Sequence, residues 1–428
     1  MSRVIKMGLV LLISIFYGVI CFVAAAAAGI WVFAHQPYPF LMPVGIVVIC
    51  MLVCMGGIRV VGSRVQRRYR AAAYLTGTAV ILVLSAATLL PGQSGEKTLA
   101  HPPDLRYWSL PTGSTIAYIH IPGDSADGKK PDPIVMLHGG PGVPDLQGDS
   151  RYFGQLAESG YDIYVYAQVG SGYSSRLADP SQYTVERDAQ DLEAIRATLS
   201  ADSLILMGHS YGAEVIANYM VDHGGHVSRA VFISPGALDP QDHSDANLTG
   251  RLTQSQQWKL YRHLLHPRSL FVYSLLQRNP AYARSLAADE EMDQAFDKVY
   301  AVTEPALHCN GHTGGGKLDK LGFYANQVPQ SLAAKEEIDP RAQLTERHFM
   351  LPVLIVKGGC DYLSWESAMD YRRVFPNSKV VYLPEAGHNL YQDQPEKVMG
   401  ILQDFLLDRT PKLQAYPDWQ QPDDYQTD

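Results

Sequence analysis

Apolar residues follow two different patterns along the chain, and the change comes near residue 95. Before that point, three long apolar stretches run from about Met7 to Ala34, from Phe40 to Ile58 and from Ala71 to Leu90. A helix needs about 20 apolar residues to cross the hydrocarbon layer, and each stretch supplies them. Residues 1–92 are therefore predicted to form three transmembrane helices. A signal peptide over the first stretch is the alternative, and the two stretches that follow count against it.

After residue 100, short apolar runs alternate with segments of helical periodicity. Helices are predicted at Thr184–Leu199 and Tyr211–Val221. Strands alternating with helices indicate a mostly parallel sheet that is covered on both faces. The predicted strands are Thr115–Ile121, Pro133–Gly139, Tyr161–Gln168, Ser203–Gly208 and Arg229–Ser234.

This alternation stops at Gly236, and the chain stays polar and helix-like to about Arg347. Strand patterns return at Leu351–Gly359 and Lys379–Gly387, and an amphipathic helix follows at Pro395–Leu407. The pattern predicts one sheet domain in two parts, residues 100–236 and 348–408, with a helical insertion over residues 237–347. Residues 409–428 are rich in Pro, Gln, Asp and Tyr and are predicted to form a flexible tail.

The distribution of charge predicts the orientation in the membrane. No Asp or Glu precedes Glu96, and the basic residues there lie before the first stretch and between the second and third. The positive-inside rule then places the N-terminus and the Arg64–Arg70 loop in the cytoplasm. Three crossings place the remaining chain outside, so we expect a multi-pass cell-membrane protein with an extracytoplasmic domain. The whole chain carries a formal charge of -8 and lacks a long basic stripe, which predicts no nucleic-acid partner.

Two of the five cysteines, Cys309 and Cys360, lie outside the apolar stretches. A location outside the cytoplasm would permit a disulfide between them. Two free thiols remain an equal alternative.

Ser210 lies between a predicted strand and a predicted helix in the sequence GHSYG. This Gly-x-Ser-x-Gly pattern is typical of a nucleophile elbow, a sharp turn that exposes a reactive serine above a sheet. Gly208 and Gly212 fit because the turn leaves no room for larger neighbours. The alternative is an ordinary glycine-rich loop, which the flanking strand and helix make less probable.

A nucleophilic serine needs a base and an acid that orients the base. Asp361 and His388 follow Ser210 in the order that this fold requires, each just after a predicted strand. Taken singly, Asp361 could be a turn or helix-capping residue and His388 a surface histidine. Acyl transfer also needs backbone N–H donors, and HGGPG after a strand predicts that Gly140 or Gly139 acts with Tyr211 as an oxyanion hole. His138 is expected to support this loop, and His209 to pack rather than to act as a base.

The motifs HGGPG, GHSYGAE, GGCD and EAGHN resemble the proline iminopeptidase family of α/β-hydrolases over about residues 106–407. The resemblance implies an α/β-hydrolase sheet with a helical cap, here preceded by three transmembrane helices. It implies a serine exopeptidase with Ser210 as nucleophile, Asp361 as orienting acid and His388 as base, and Gly140 and Tyr211 as the oxyanion hole. The chain departs from the family pattern at Ala167 and Val169, and at Tyr211, where family members usually carry Trp.

An aminopeptidase must also bind a protonated amine, so a carboxylate is expected near the pocket. Glu214, one helical turn after Ser210, and Glu304 in the insertion are candidates, with Gly139 also close to the substrate. Glu290 and Glu291 are further candidates in the insertion. For each glutamate the alternative is a solvated helix face. The histidines show no zinc-ligand spacing, and we expect neither metal nor cofactor.

Three functions are compatible with this sequence. The first is a membrane-anchored aminopeptidase that acts on peptides through a Ser-His-Asp triad. The second is a carboxylesterase that acts on a small acyl substrate through the same residues. The third is a non-catalytic binding module of the same fold, against which the presence of Ser210, Asp361 and His388 in order argues.

Overall fold

The computed structural model describes residues 3–33, 41–62, 66–92, 101–124, 128–239, 248–309, 319–332 and 339–426. Residues 35–39, Arg64 of the arginine-rich loop and residues 310–318 of the insertion lie outside these ranges. The chain divides into two compact units. The first unit contains Met1–Gly95, Arg262–Met292 and Ser331–Ala333, and the second contains Glu96–Tyr261, Asp293–Gln330 and Ala334–Asp428.

The first unit contains the three predicted apolar helices: α1 (Arg3–Phe33), α2 (Leu41–Gly62) and α3 (Arg67–Leu89). All three are long and apolar enough to cross a membrane. They pack on one another, and α8 (Pro267–Leu276) packs on α1 and α3. The unit therefore includes residues 262–292, which the sequence pattern assigned to the cap.

An eight-stranded sheet forms the centre of the second unit, and its strand order is β1-β2-β4-β3-β5-β6-β7-β8. β1 and β2 pair antiparallel, as do β2 and β4, and the pairs from β4 onward are parallel. The fold prediction is confirmed. The strands are β1 (Leu105–Ser109), β2 (Thr115–Ile121), β3 (Ile134–Leu137), β4 (Ile163–Tyr166), β5 (Leu204–His209), β6 (Val227–Ile233), β7 (Val353–Cys360) and β8 (Ser378–Gly387).

Side chains alternate between the two faces of this sheet. Ile205 and Met207 of β5 join a buried cluster with residues of α4 and α15, and Leu206, which is also buried, points to the other face. Helix α6 packs on β5 and β6, and α5 packs on α6. The helices with residues in the second unit are α4 (Leu146–Phe153), α5 (Val185–Leu199), α6 (Tyr211–His223), α7 (Gln254–Leu264), α10 (Asp289–Thr303), α11 (Phe323–Gln327), α12 (Arg341–Arg347), α13 (Trp365–Val374), α14 (Leu390–Asp393) and α15 (Pro395–Leu406).

The segment after residue 409 is ordered, which corrects the prediction of a flexible tail. Tyr425 is buried and its hydroxyl donates to the carbonyl of Leu363. The backbone N–H of Gln426 donates to the carbonyl of Gly359 at 2.7 Å, and Trp365 donates to the carbonyl of Trp419 at 3.0 Å. Aromatic residues that look like part of a polar tail in the sequence therefore pack against the loop after β7.

Cys309 and Cys360 form a disulfide with a Cα–Cα distance of 5.3 Å. The sequence left open either a disulfide or two free thiols, and the structure contains the disulfide. Cys360 is the residue before Asp361, so the disulfide ties the loop after β7 to the segment that follows α10.

Candidate active site

Ser210 lies in a sharp turn between β5 and α6, with φ of 54° and ψ of −120°. A non-glycine residue at positive φ is strained, and such residues gather at functional sites. The turn is held by the backbone: the N–H of Ser210 donates to the carbonyl of Ile233 at 2.9 Å, and its carbonyl accepts from Ala213 at 2.9 Å. The serine therefore has the backbone conformation expected of a nucleophile elbow.

The crowding of this turn explains the glycines around it. A Cβ atom on Gly208 would lie 2.5 Å from the carbonyl oxygen of Gly212, and one on Gly212 would lie 2.4 Å from the carbonyl oxygen of Leu137. A Cβ on Gly139 would lie 2.9 Å from that of Ser210. Larger residues would push the turn apart, so the Gly-x-Ser-x-Gly pattern is a steric requirement here.

His388 and Asp361 lie next to each other after β8 and β7. The distance between His388 Nδ1 and Asp361 Oδ1 is 2.8 Å, and both side chains are buried. His209, the residue before Ser210, hydrogen bonds the carbonyl of His388 at 3.0 Å, and the two rings lie 4.9 Å apart. The structure thus brings the predicted acid and base together and places the base next to His209, the residue before the predicted nucleophile.

Two buried histidines near Ser210 hydrogen bond to the backbone. Burial and the neighbouring His388 lower the pKa of His209 to about 3, which makes its ring a weak base. Burial likewise lowers the pKa of His138 to about 4. His138 Nε2 accepts from the N–H of Gln168 at 3.0 Å. Both histidines therefore hold backbone segments in place.

Lys357 is a functional residue that the sequence analysis missed. It is fully buried in β7, and its Nζ donates to Asp361 Oδ2 at 2.8 Å. Burial alone would raise the pKa of Asp361, but the charges of Lys357 and His388 hold it well below its usual range. Asp361 therefore stays ionised. The sequence did contain a signal for this role, because a lysine lies inside an otherwise apolar strand, four residues before Asp361.

The oxyanion donors proposed from the sequence lie on both sides of Ser210. Gly140 has φ of 123° and lies in the loop after β3, and Tyr211 is the first residue of α6. The Tyr211 side chain points its hydroxyl to Asp188 Oδ2 at 2.8 Å. Burial raises the pKa of Asp188 to about 8, although the hydrogen bond from Tyr211 lowers it in part.

Two of the departures from the iminopeptidase pattern are neighbours in space. Val169 and Tyr211 both border a small cavity, together with Asp188, Pro141 and Ala325. The third, Ala167, is buried in the hydrophobic core.

The glutamates that the sequence offered as amine-binding residues lie in different parts of the structure and contact different residues. Glu214 lies near Gly236 and near Tyr362, whose ring packs on His388 with 4.7 Å between centroids. Glu304 accepts from His308 at 3.1 Å. In the first unit, Glu291 binds Arg268. Within the described residues, no group of His, Cys, Asp and Glu fits a metal ion.

His308 connects the cap segment after α10 to the residues on either side of His388. Its Nδ1 lies 2.6 Å from Asp393 Oδ1, and its Nε2 lies 3.1 Å from Glu304 Oε1. The N–H groups of Cys309 and Gly387 donate to the other oxygen of Asp393 at 3.0 and 2.7 Å. Burial alone would lower the pKa of His308, but the two carboxylates raise it to about 9.

We expect the protein to lose stability between about pH 6.5 and 9, the ordinary and the raised pKa of His308. A group whose pKa is raised in the folded state stabilises the fold at pH values below its ordinary pKa. This stabilisation, roughly 2 kcal/mol, is lost as pH rises through the raised pKa. Unfolding midpoints in detergent across this range should fall for the wild type and change less for His308→Gln. The exposed His226→Gln is the control. Equal slopes for wild type and His308→Gln would contradict the assignment.

Known proteins resemble this chain mainly in the second unit. Residues 132–395, more than half of the chain, match the family described as alpha/beta hydrolase fold. Human 1-acylglycerol-3-phosphate O-acyltransferase ABHD5 is 27% identical over 62% of this chain and 74% of its own length. The proline iminopeptidase of Clostridioides difficile (strain 630) is 24% identical over 68% of this chain and 94% of its own. The crystal structure of VinJ shares the fold with a TM-score of 0.50, at 18% identity over 72% of this chain and 100% of VinJ.

Proposed function

Because the chain belongs to the alpha/beta hydrolase fold family, we propose that it is a serine hydrolase that releases N-terminal residues from peptides. The observations that carry the proposal are Ser210 at positive φ and a His388–Asp361 pair with a 2.8 Å contact, and His209, the residue before Ser210, hydrogen bonds the carbonyl of His388. The iminopeptidase of Clostridioides difficile aligns over nearly its whole length, which supports a peptide substrate.

In the proposed reaction, Ser210 Oγ attacks the carbonyl carbon of the first peptide bond. His388 takes the serine proton and passes it to the leaving amine, while Asp361 holds the ring and stabilises its charged form. The N–H groups of Gly140 and Tyr211 stabilise the developing oxyanion. His388 then activates the water that releases the N-terminal residue from Ser210.

Glu214 is the carboxylate that we assign to the substrate amine. It lies one helical turn after Ser210 and close to Tyr362, which contacts the ring of His388. Glu304 lies in the insertion and accepts from His308, whereas Glu214 lies on α6, the helix that begins next to Ser210.

An ester substrate is the second candidate. The human relative is named as an acyltransferase, and the chain departs from the iminopeptidase pattern at Val169 and Tyr211. An acyl-enzyme on Ser210 would serve either reaction, because the residues that form it are the same.

Rates on aminoacyl-naphthylamides and on short acyl nitrophenyl esters separate the two candidates. We expect cleavage of the naphthylamides, and Glu214→Gln should raise their KM by about 10-fold, since a hydrogen bond to a charged group contributes about 1.5–3 kcal/mol. The same variant should leave the KM of the uncharged esters unchanged. Glu186→Gln, on α5, is the control. Cleavage of esters alone would overturn the peptidase proposal.

We further propose that α1–α3 anchor the chain in the cell membrane with the second unit outside the cytoplasm. Arg3 and Lys6 lie at the start of α1, and Arg59 and Arg67 lie at the end of α2 and the start of α3, which supports this orientation. The Cys309–Cys360 disulfide also supports an oxidising compartment. Protease added to intact cells should cleave the second unit. Protection in intact cells with cleavage after lysis would invert the proposed orientation.

A further inference from the structure

The segment Arg262–Met292 is bound to the end of helix α3. Arg268 is buried and donates through Nη1 to the carbonyls of Thr88 and Leu89, at 3.2 and 3.3 Å. The last carbonyls of a helix have no partner within it, so Arg268 supplies donors and a positive charge where α3 needs both. Residue 268 is therefore fixed at the level where the third apolar helix ends.

A glutamate completes this contact. Glu291 accepts from Arg268 Nε at 2.8 Å and Nη2 at 3.0 Å, a two-point ion pair with little exposure. The same carboxylate accepts from the N–H of Gly92 at 3.0 Å, just after α3. Arg268 and Glu291 therefore both bind the C-terminal end of α3, although they lie 23 residues apart in the segment.

The second helix of the segment contacts the start of α2. Helix α9 (Pro280–Leu286) carries Tyr282, whose hydroxyl hydrogen bonds with the backbone of Met42. Both residues are buried. In a bundle that crosses a membrane three times, the start of α2 and the end of α3 lie on the same side. Both contacts therefore place α8 and α9 at one membrane boundary.

The segment also exposes several large apolar side chains. Phe271, Val272 and Leu275 of α8 are buried. The large side chains that remain exposed, by 41–64%, are Leu264, Leu265, Leu270 and Tyr273. Exposed leucines beside a tyrosine suit the boundary between acyl chains and headgroups, where an aromatic ring with a polar tip is favourable.

The charge around the exposed apolar side chains also suits a lipid surface. No Asp or Glu occurs between Asp245 and Asp289, and the acids of the segment, Asp289, Glu290 and Glu291, lie at its end, where Asp289 binds Arg284 and Glu291 binds Arg268. Arg262 and Arg278 are exposed within the segment. Basic residues that flank an apolar face are typical of helices that lie on anionic membranes.

We propose that residues 262–292 form an interfacial membrane element, with Leu264, Leu265, Leu270 and Tyr273 embedded in the lipid surface at the end of α3. Its partner is the bilayer that the three helices cross. The contacts with α2 and α3 favour lipid over a protein partner, because they fix the apolar side chains at the depth where the spanning helices end.

Fluorescence quenching in nanodiscs tests this placement in the full chain. Cys21, Cys50 and Cys54 are replaced by alanine, the disulfide is kept, and an NBD dye is attached at Leu265→Cys or Leu270→Cys. The nanodiscs contain phosphatidylcholine and phosphatidylglycerol with a doxyl group high on the acyl chain. Dyes at Leu82→Cys on α3 and at Thr198→Cys on α5 serve as the lipid and water controls.

We expect the doxyl lipid to remove most of the emission at 265 and 270, and aqueous iodide to remove little. Quenching by iodide to the extent seen at 198 would overturn the proposal. Protection from both quenchers would also overturn it, because the face would then be covered by protein, such as a second copy of the chain. Lipid quenching at 82 shows separately that α3 lies in the bilayer, so a failure of the anchor is distinguished from a failure of this proposal.

Discussion

Ser210→Ala should reduce kcat/KM by at least about 10⁴-fold, because removal of the nucleophile from a serine triad leaves only the oxyanion hole and substrate binding. A fluorophosphonate probe should label the wild type and leave this variant unlabelled. Ser159→Ala, a partly exposed serine outside the site, should retain both activity and labelling. A wild-type chain that resists the probe would instead favour the non-catalytic alternative.

The strain at this position gives the same experiment a second readout. Alanine has a Cβ atom and keeps the unfavourable φ of 54°, whereas glycine adopts positive φ without steric cost. Ser210→Gly should therefore be more stable than Ser210→Ala by about 1 kcal/mol, since a strained backbone costs about 1–3 kcal/mol. Both variants should be inactive. Equal stability of the two would mean that the elbow carries no strain.

Lys357→Met should lower the free energy of unfolding by about 3–5 kcal/mol, because it leaves Asp361 as a buried charge without its nearest partner. Lys357 and Asp361 are both fully buried, with 2.8 Å between their charged atoms. The depressed pKa of Asp361 stabilises the fold above about pH 4, its unfolded value, and this is lost as pH falls further. Lys357→Met lacks the lysine that depresses this pKa, so the difference in stability between the wild type and Lys357→Met should shrink as pH falls below about 4.

Two variants separate the charge effect from simple loss of packing. Ser367→Ala removes only one hydrogen-bond partner of Lys357, at 3.2 Å, and should cost about 1 kcal/mol. Lys357→Met with Asp361→Asn leaves no charge unpaired and should regain part of the stability. The double variant should be inactive, because Asp361→Asn removes the carboxylate that contacts His388. Denaturant unfolding of the full chain in detergent measures all three. A Lys357→Met chain as stable as Ser367→Ala would contradict the buried-pair assignment.

The parts of the fold that sequence predicts well are those with a strong local pattern. The short apolar runs around Leu206 and Ile355 became central strands, and the long apolar stretches became α1–α3. The order Ser210, Asp361, His388 located the candidate triad because open α/β sheets gather functional residues at the strand ends. The local sequence pattern and the order of the motifs along the chain were therefore enough to predict the central strands, the three apolar helices and the candidate triad.

Features that depend on contacts between distant residues were not predictable in the same way. Lys357 in β7 looks like a misplaced charge until Asp361 and Ser367 surround it. Tyr425 belongs to a polar segment by composition, yet it is buried against Leu363. Residues 262–292 read as cap helices, and only their contacts with α3 assign them to the first unit. Periodicity reports which face of an element is apolar, and not which surface covers it.

The contact between Arg268 and Leu89 has a consequence for biosynthesis. The two residues are 179 positions apart, so α3 is translated long before the arginine that binds its last carbonyls. At about 5–20 residues per second, the ribosome needs roughly 10–40 s to reach Arg268. During that interval the first unit lacks one of its own segments, while strands β1–β6 of the second unit are already emerging. Completion of the first unit therefore follows synthesis of more than half of the sheet.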